Sequence, residues 1–238
     1  MAWRLLKTDF PDYYLAADLL RQHYDTSRVY EWLWFERQKD LRNIDDPMAD
    51  FVPTTGFSAL FVYPLTRMPV LEAKHCWIVF SFGLLVATVY LLQAMTHISW
   101  RRIALVAALT PPLRNDFIAG QYYVLLLFLL TVACYLYVHQ RRFFSGVTIG
   151  IAAGLKVFPV IYLLYFLRKR DLKAFAGGVV GGLGAATASV LAFGWEMNRV
   201  YLLQVLPWTL RGDAKGPYIL KNPSLPRFCI TCLSMSPS

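Results

Sequence analysis

The feature that most constrains this chain is a succession of long apolar runs between residues 75 and 194, set apart by charge, proline and glycine. His75–Met95, Tyr122–Val138, Gly146–Leu167 and Ala174–Gly194 approach the roughly 20 residues a helix needs to cross a bilayer. Ile103–Leu109 is apolar but short, and Pro111-Pro112 stops it, since proline lacks an amide hydrogen and clashes with the preceding turn. Hydrocarbon offers no partners for backbone polar groups, so runs of this kind are expected to be helices. Composition agrees: 57% of the residues are hydrophobic and 16% charged, too few polar groups to cover a soluble core of this length. The fold class is therefore all-α and polytopic in a membrane.

The net charge is +9, yet residues 1–52 hold ten of the fifteen acidic residues against seven basic ones. The basic excess sits in short clusters beside the apolar runs: Arg101-Arg102, Arg141-Arg142 and Arg168-Lys169-Arg170-Asp171-Leu172-Lys173. That is the pattern of membrane topology signals, which argues against nucleic acid as a partner. Met1-Ala2-Trp3-Arg4-Leu5-Leu6 has no apolar core of a signal peptide. Cys76 and Cys134 fall in apolar runs and read as inert thiols. Cys229 and Cys232 form one Cys-x-x-Cys without two further ligands at suitable spacing, so no metal is expected.

Gly146–Leu167 admits two readings, because Lys156 and Pro159 stand in its middle. As one helix it separates Arg141-Arg142 from Arg168–Lys173. As two half-helices turning near Lys156 it brings both clusters, and Arg101-Arg102, to one face, as the positive-inside tendency prefers. It also removes Lys156 from the hydrocarbon centre, where a charge costs ~3 kcal/mol. Half-helices are tolerated where they line a covered or wet cavity. The second reading is preferred, and it puts Asp9, Arg114, Asp116, Gln121 and Lys156 together on the opposite, non-cytoplasmic face. In the last run, Gly177 with Gly181 and Gly178 with Gly182 are small-x-x-x-small pairs that allow close helix packing.

The first seventy residues are more polar. Pro11–Tyr24 reads as a short helix with proline in its first turn. Arg28–Arg42 reads as a second, with Trp32, Trp34 and Phe35 among charges. Tryptophan beside charge favours the headgroup zone, so both are expected along the membrane surface; a soluble amphipathic hairpin is the alternative. Asp45-Asp46-Pro47 is a turn signal. Thr54–Leu71, interrupted by Pro64 and Pro69, is expected to pack over the mouth of a cavity. The chain thus divides into an external loop with juxtamembrane helices (1–74), a bundle of about six helical segments (75–194) and an external loop with a tail (195–238).

Asp9, in Lys7-Thr8-Asp9-Phe10-Pro11-Asp12-Tyr13-Tyr14, stands ahead of this bundle. A carboxylate where water meets lipid is either a turn or helix-cap residue or a base for chemistry on a lipid-borne substrate. The motif Asp9-Phe10-x-x-Tyr13-Tyr14-x-Ala16-Ala17, then Tyr24-Asp25, Phe61-x-Tyr63-Pro64-Leu65, Pro69, Gly120-Gln121 and Gly150-x-Ala152-Ala153-x-Leu155-Lys156-x-x-Pro159, resembles glycosyltransferase family 87 in order and spacing. That family belongs to the GT-C superfamily of multi-spanning enzymes that use polyprenyl-phosphate sugars. The resemblance covers roughly residues 7 to 194 and implies a GT-C-like bundle with short broken helices.

The resemblance further implies transfer of a hexose, mannose in typical members, to a glycan or glycolipid acceptor outside the cytoplasm of a bacterial cell membrane. Asp9 matches the acidic residue that acts as base, with Asp12 and Asp25 as nearby alternatives. Gly120-Gln121 and Lys156 match positions by the donor phosphate, and Tyr13 and Tyr14 accompany the aspartate. Lys156 and Arg114 are candidates to offset the leaving phosphate. Single displacement would invert a β-linked donor, with no cofactor beyond the lipid-linked sugar. Each residue has a plainer alternative: Lys156 snorkelling to the interface, Arg114 anchoring to lipid, Gln121 capping a helix, Asp116 pairing with Arg114. Family members carry a span before the aspartate loop and further spans after Gly194, whereas Leu225–Ser238 turns polar here. A partial reading frame with an aberrant tail is therefore expected; if it lacks the acceptor-side half, the enzyme would be inactive as written. A lipid-binding or transporter-like protein and a non-catalytic remnant are the other classes.

Overall fold

The computed structural model describes residues 6, 9–46 and 48–211. The Cys229/Cys232 pair, Pro47 of the expected turn, the start at Met1 and the tail lie outside the described residues. Three helices precede the apolar ones: α1 (Phe10–Arg21), α2 (Trp32–Leu41) and the single turn α3 (Gly56–Ala59). Then follow α4 (Val70–Thr96), α5 (Trp100–Ala108), α6 (Pro111–Ala119) and α7 (Tyr123–Val138). α8 (Arg142–Leu155), α9 (Val160–Arg168) and α10 (Leu172–Val200) come next, and a π-turn leads from α10 into α11 (Leu206–Arg211). The class is as expected: an all-helical membrane bundle with broken helices.

α4 has 27 residues, about 40 Å at 1.5 Å per residue, long enough to cross a bilayer. The run from Leu172 to Arg211 is the second helix of the described residues long and apolar enough to do so. Their apolar side chains face outward: Phe82 is 60% exposed and Leu191 82%. Whole helix faces of this kind are lipid-facing surface, since a soluble protein rarely leaves them bare.

The Gly146–Leu167 run is two helices. α8 ends at Lys156, whose backbone is extended (φ −142°, ψ 136°), and α9 begins after Pro159. α9 turns back: its Phe166 ring stacks on Tyr137, near the end of α7, with centroids 5.7 Å apart. The bundle therefore has two distinct ends. The starts of α4 and α7 and the ends of α8 and α10 form one. The ends of α4, α7 and α9 and the starts of α8 and α10 form the other, where Met95, Val138 and Tyr165 line a common pocket. The three basic clusters belong to this second end.

α8 and α10 run parallel and nearly touch. A Cβ on Gly146 would lie 1.9 Å from the Ala174 carbonyl oxygen, and one on Gly150 2.2 Å from that of Gly178. From the other helix, Gly177 and Gly181 meet the carbonyls of Phe143 and Val147 in the same way. Gly178 instead meets the Leu163 side chain of α9, and Gly182 is not tightly packed. α10 bends at Gly194 (φ 80°), and Asn198 clamps the bend by donating to the Gly194 carbonyl while accepting from Ser189 Oγ.

Residues 9–69 close over the first end. Thr55 Oγ1 donates to the Gly154 carbonyl at 2.6 Å and Thr26 Oγ1 to that of Phe193 at 2.9 Å, tying this segment to the ends of α8 and α10. α1 is more enclosed than a helix lying on a surface, for every residue from Phe10 to Leu19 is buried. Its Asp18 is buried but well partnered, accepting from Arg21 at 2.6 Å, Gln22 at 2.6 Å and Arg42 at 3.0 Å, which binds α1 to the end of α2.

The α8–α10 contact makes a simple prediction. Gly150→Ala forces two backbones apart and lowers stability by about 1–3 kcal/mol, read as a lower thermal midpoint in detergent. Gly184→Ala, on the partner helix α10 with nothing within 4 Å of its Cβ position, leaves the midpoint unchanged.

Candidate active site

Asp9 occupies the N-cap position of α1, yet its carboxylate makes no capping hydrogen bond. Only its backbone serves the helix, the Asp9 carbonyl accepting from the Asp12 N–H at 3.2 Å. The carboxylate instead accepts a hydrogen bond from Gln121 Nε2, across 112 residues of sequence. The side chain thus turns toward the bundle and does not cap its helix.

Gly120 makes this meeting possible. It ends α6 in the left-handed region (φ 69°), and a Cβ there would lie 2.7 Å from Cβ of Phe10. No other residue allows both that backbone and that approach. The turn is pinned by the Asp116 carbonyl, which accepts from the Gly120 N–H at 2.7 Å and the Gln121 N–H at 3.2 Å. Lys74, fully buried on α4, holds it from the other side by donating from Nζ to the Ile118 carbonyl at 3.0 Å. Beneath lies an aromatic layer, with Tyr122 4.3 Å from Tyr13 and 5.2 Å from Trp77 between ring centroids.

Asp116, Lys156 and Tyr123 complete the cluster. The buried Asp116 carboxylate accepts from the N–H groups of Tyr123 (3.3 Å) and Val124 (3.2 Å), capping α7. Lys156 places Nζ 5.1 Å from the centre of the Tyr123 ring, and the charges of both Asp9 and Asp116 act on it. α6 has nine residues, ~13 Å, too short to span, so Asp116 lies at the bundle's end. Burial pushes its carboxyl up to about 7; the two N–H groups and Lys156 pull it down, and Asp9 adds to the rise. Burial, with the Asp9 charge, also pushes the Tyr13 phenol well above its ordinary range and keeps it neutral.

The other candidate residues lie apart. Asp12 is buried and accepts from the Asp50 N–H at 3.1 Å, and Tyr14 Oη donates to the Met68 carbonyl at 2.8 Å, so both hold the loop. Asp25 is exposed and caps a 3₁₀ turn through Ser27. Arg114 is exposed and lines a groove of about 810 Å³ between α4, α5 and α6, walled by Val79, Phe82, Val86 and Trp100. Asp116 therefore bonds to the start of α7 and not to Arg114. Lys74 escaped the sequence reading because it sits at the edge of a long apolar run. Asp116 was grouped with the site by its side of the membrane, with pairing to Arg114 as its alternative; its place six residues before the α7 run is the signal for a cap. Among the described residues no group of three or more His, Cys, Asp or Glu is arranged to hold a metal ion.

A helical membrane bundle with a carboxylate, an amide and an ammonium gathered at one covered end defines the class. The chain belongs to glycosyltransferase family 87, whose model matches residues 55–229. Asp9 and α1 lie ahead of that stretch. The chain is 32% identical over 178 residues to the polyprenol-phosphate-mannose-dependent alpha-(1-2)-phosphatidylinositol pentamannoside mannosyltransferase of Mycolicibacterium smegmatis, covering 73% of this chain and 41% of that protein. It is 31% identical over 179 residues to the protein of the same name from Mycobacterium tuberculosis (strain CDC 1551 / Oshkosh), covering 71% and 39%. It is 30% identical over 115 residues to a polyprenol-phosphate-mannose-dependent alpha-(1-2)-phosphatidylinositol mannoside mannosyltransferase of M. tuberculosis (strain ATCC 25618 / H37Rv), covering 47% and 26%. The chain spans about two-fifths of the length of the first two relatives. No solved structure matches it significantly.

The raised Asp116 carboxyl has a measurable sign. Its folded pKa of about 7 exceeds the ordinary 3.8, so between those values the folded chain holds a proton that the unfolded chain has lost. Stability from this group is present below about pH 4 and declines as pH rises through about 7. Asp116→Asn cannot titrate. Between about pH 5 and about pH 8 the wild-type thermal midpoint is expected to fall relative to that of the variant.

Proposed function

We propose that this chain carries the catalytic end of a polyprenyl-phosphate-hexose-dependent glycosyltransferase that moves mannose to a glycan or glycolipid. The observation that carries this is the Asp9 carboxylate, released from capping and held by Gln121 in a cluster with Lys156. The printed names of the relatives support mannose as the sugar and a phosphatidylinositol mannoside as the kind of acceptor.

In the proposed step an acceptor hydroxyl lies against Asp9, which takes its proton as the oxygen attacks the anomeric carbon. The bond from that carbon to the donor phosphate breaks on the opposite side, inverting the centre. The polyprenyl phosphate leaves with the electron pair, and the Lys156 ammonium offsets its charge. Gln121 holds the Asp9 carboxylate in position, and Asp116 keeps α7 and Lys156 in register. The reaction as proposed draws its positive charge from Lys156 and calls for no cofactor beyond the donor. Arg114, on the α4–α6 groove, acts as a lipid-side anchor. The basic clusters at the far end favour a cytoplasmic location for that end, which leaves Asp9 facing outward from a bacterial cell membrane.

The test is transfer from polyprenyl-phosphate mannose by membranes containing this chain. Asp9→Asn should lower the rate about 10²–10⁴-fold. Lys156→Met should lower kcat about 10²-fold, with partial recovery in Lys156→Arg. Full transfer by Asp9→Asn would remove Asp9 as base. No transfer by the wild-type chain, with donor still bound, would favour the lipid-binding reading.

A further inference from the structure

The second end of the bundle carries a pocket that the proposed chemistry does not use. It has a volume of about 640 Å³ and lies between the α7–α8 and α9–α10 turns. Arg141, Arg142, Arg170 and Lys173 line it, with Gln140, Asp171, Phe143, Phe144 and Leu172. The two turns are built alike. Each reverses through a left-handed residue, Gln140 (φ 62°) in one and Arg170 (φ 54°) in the other. Each is closed by a backbone hydrogen bond, Arg141 N–H to Leu136 O at 2.8 Å and Asp171 N–H to Phe166 O at 2.9 Å. The glycine contact between α8 and α10 fixes them side by side, so the pocket is a rigid feature.

Its charges are out of balance. Asp171 is the one carboxylate lining it, and that carboxylate is already engaged: it accepts from the Ala174 N–H at 3.2 Å and pairs with Arg142 at 3.3 Å. Arg142 is further held by Gln140 Oε1, which accepts from its Nη2 at 3.1 Å. Among the described residues Arg141, Arg170 and Lys173 form no ion pair, although all three are exposed at the pocket. Three free cations in a concave site of this size call for an anion. The rim indicates what carries it. Phe143 (41% exposed), Phe144 (56%) and Leu172 (66%) present apolar surface beside the cations, at the level where a membrane-embedded bundle meets the headgroups. Basic pockets between membrane helices at that level suit anionic lipid headgroups.

We propose that this pocket binds the phosphate of an anionic diacyl phospholipid, whose acyl chains run over Phe143, Phe144 and Leu172. The proposal does not depend on glycosyl transfer and can fail or stand without it.

The test is lipid retention by the purified full chain in detergent, read by native mass spectrometry. The probes are phosphatidylglycerol, phosphatidylcholine with the same acyl chains, and free glycerol phosphate. Phosphatidylglycerol should be retained at least tenfold more than phosphatidylcholine. The Arg141→Gln/Arg170→Gln/Lys173→Gln variant should fall to the phosphatidylcholine level, and Arg101→Gln/Arg102→Gln, which removes exposed charge elsewhere, should match wild type. Equal retention of the two lipids, or retention unchanged in the triple variant, overturns the site. An equal loss in the Arg101/Arg102 variant reduces it to bulk charge and overturns it as well. Displacement of the lipid by equimolar glycerol phosphate would make a soluble anion the ligand and overturn the lipid assignment. If the triple variant does not fold, Arg170→Gln and Lys173→Gln, measured singly, should each lower retention, and no loss in either overturns the proposal.

Discussion

The rest of the structure depends on the backbone contact between α8 and α10. Because glycine stands at Gly146, Gly150, Gly177 and Gly181, carbonyls of one helix occupy the space where side chains would stand on the other. In a membrane no hydrophobic force draws helices together, so packing of this closeness supplies much of the attraction and most of the geometry. The consequence reaches both ends. At one, α8 stops at Lys156, and Thr55 and Thr26 dock on the ends of the pair. At the other, the paired starts bring Arg141-Arg142 against Arg170–Lys173.

A second constraint decides where Asp9 points. The Gly120 turn must approach Phe10 to within a distance no side chain permits, and that approach delivers Gln121 to the carboxylate. Lys74 holds the turn from α4, and Asp116 of α6 ties it to the start of α7, each with a charged group working through backbone atoms. Burying such groups costs free energy unless they are hydrogen-bonded, and here each is. The cluster is thus preorganised by long-range contacts, which is what a base must have if it is to act in one orientation.

The helices and their breaks were legible in the sequence because apolar runs, prolines and basic clusters act locally. The half-helix turn at Lys156 followed from the cost of a charge in hydrocarbon, and the structure has it. The enclosure of α1 was not legible. The sequence pattern suggested a helix lying along the membrane surface, but burial of Asp12 and Asp18 depends on partners at Asp50 and Arg42, far along the chain. The site was legible in part. Asp9 and Gln121 stood out and share a hydrogen bond, and Lys156 lies where the Asp9 charge acts on it, whereas Lys74 was hidden at the edge of an apolar run. Arg114 was grouped with them by topology alone, and topology sets a side, not the direction in which a side chain turns.

The charge pattern around Lys156 bears on how the cluster works. Two carboxylates act on one ammonium, and they differ in environment. Asp116 is buried, and its two backbone donors stabilise the ionised form only enough to leave its pKa about 7. Asp9 is half-buried, with an amide donor and two lysine charges acting on it or near it. The two therefore differ in what they hold: Asp116 is spent on the start of α7, while Asp9 turns its carboxylate toward Gln121. A general base must lie within hydrogen-bond reach of the proton it takes, and a carboxylate already bound to two backbone N–H groups is poorly placed for that. The roles proposed above rest on that difference: proton transfer by Asp9 and positioning by Asp116.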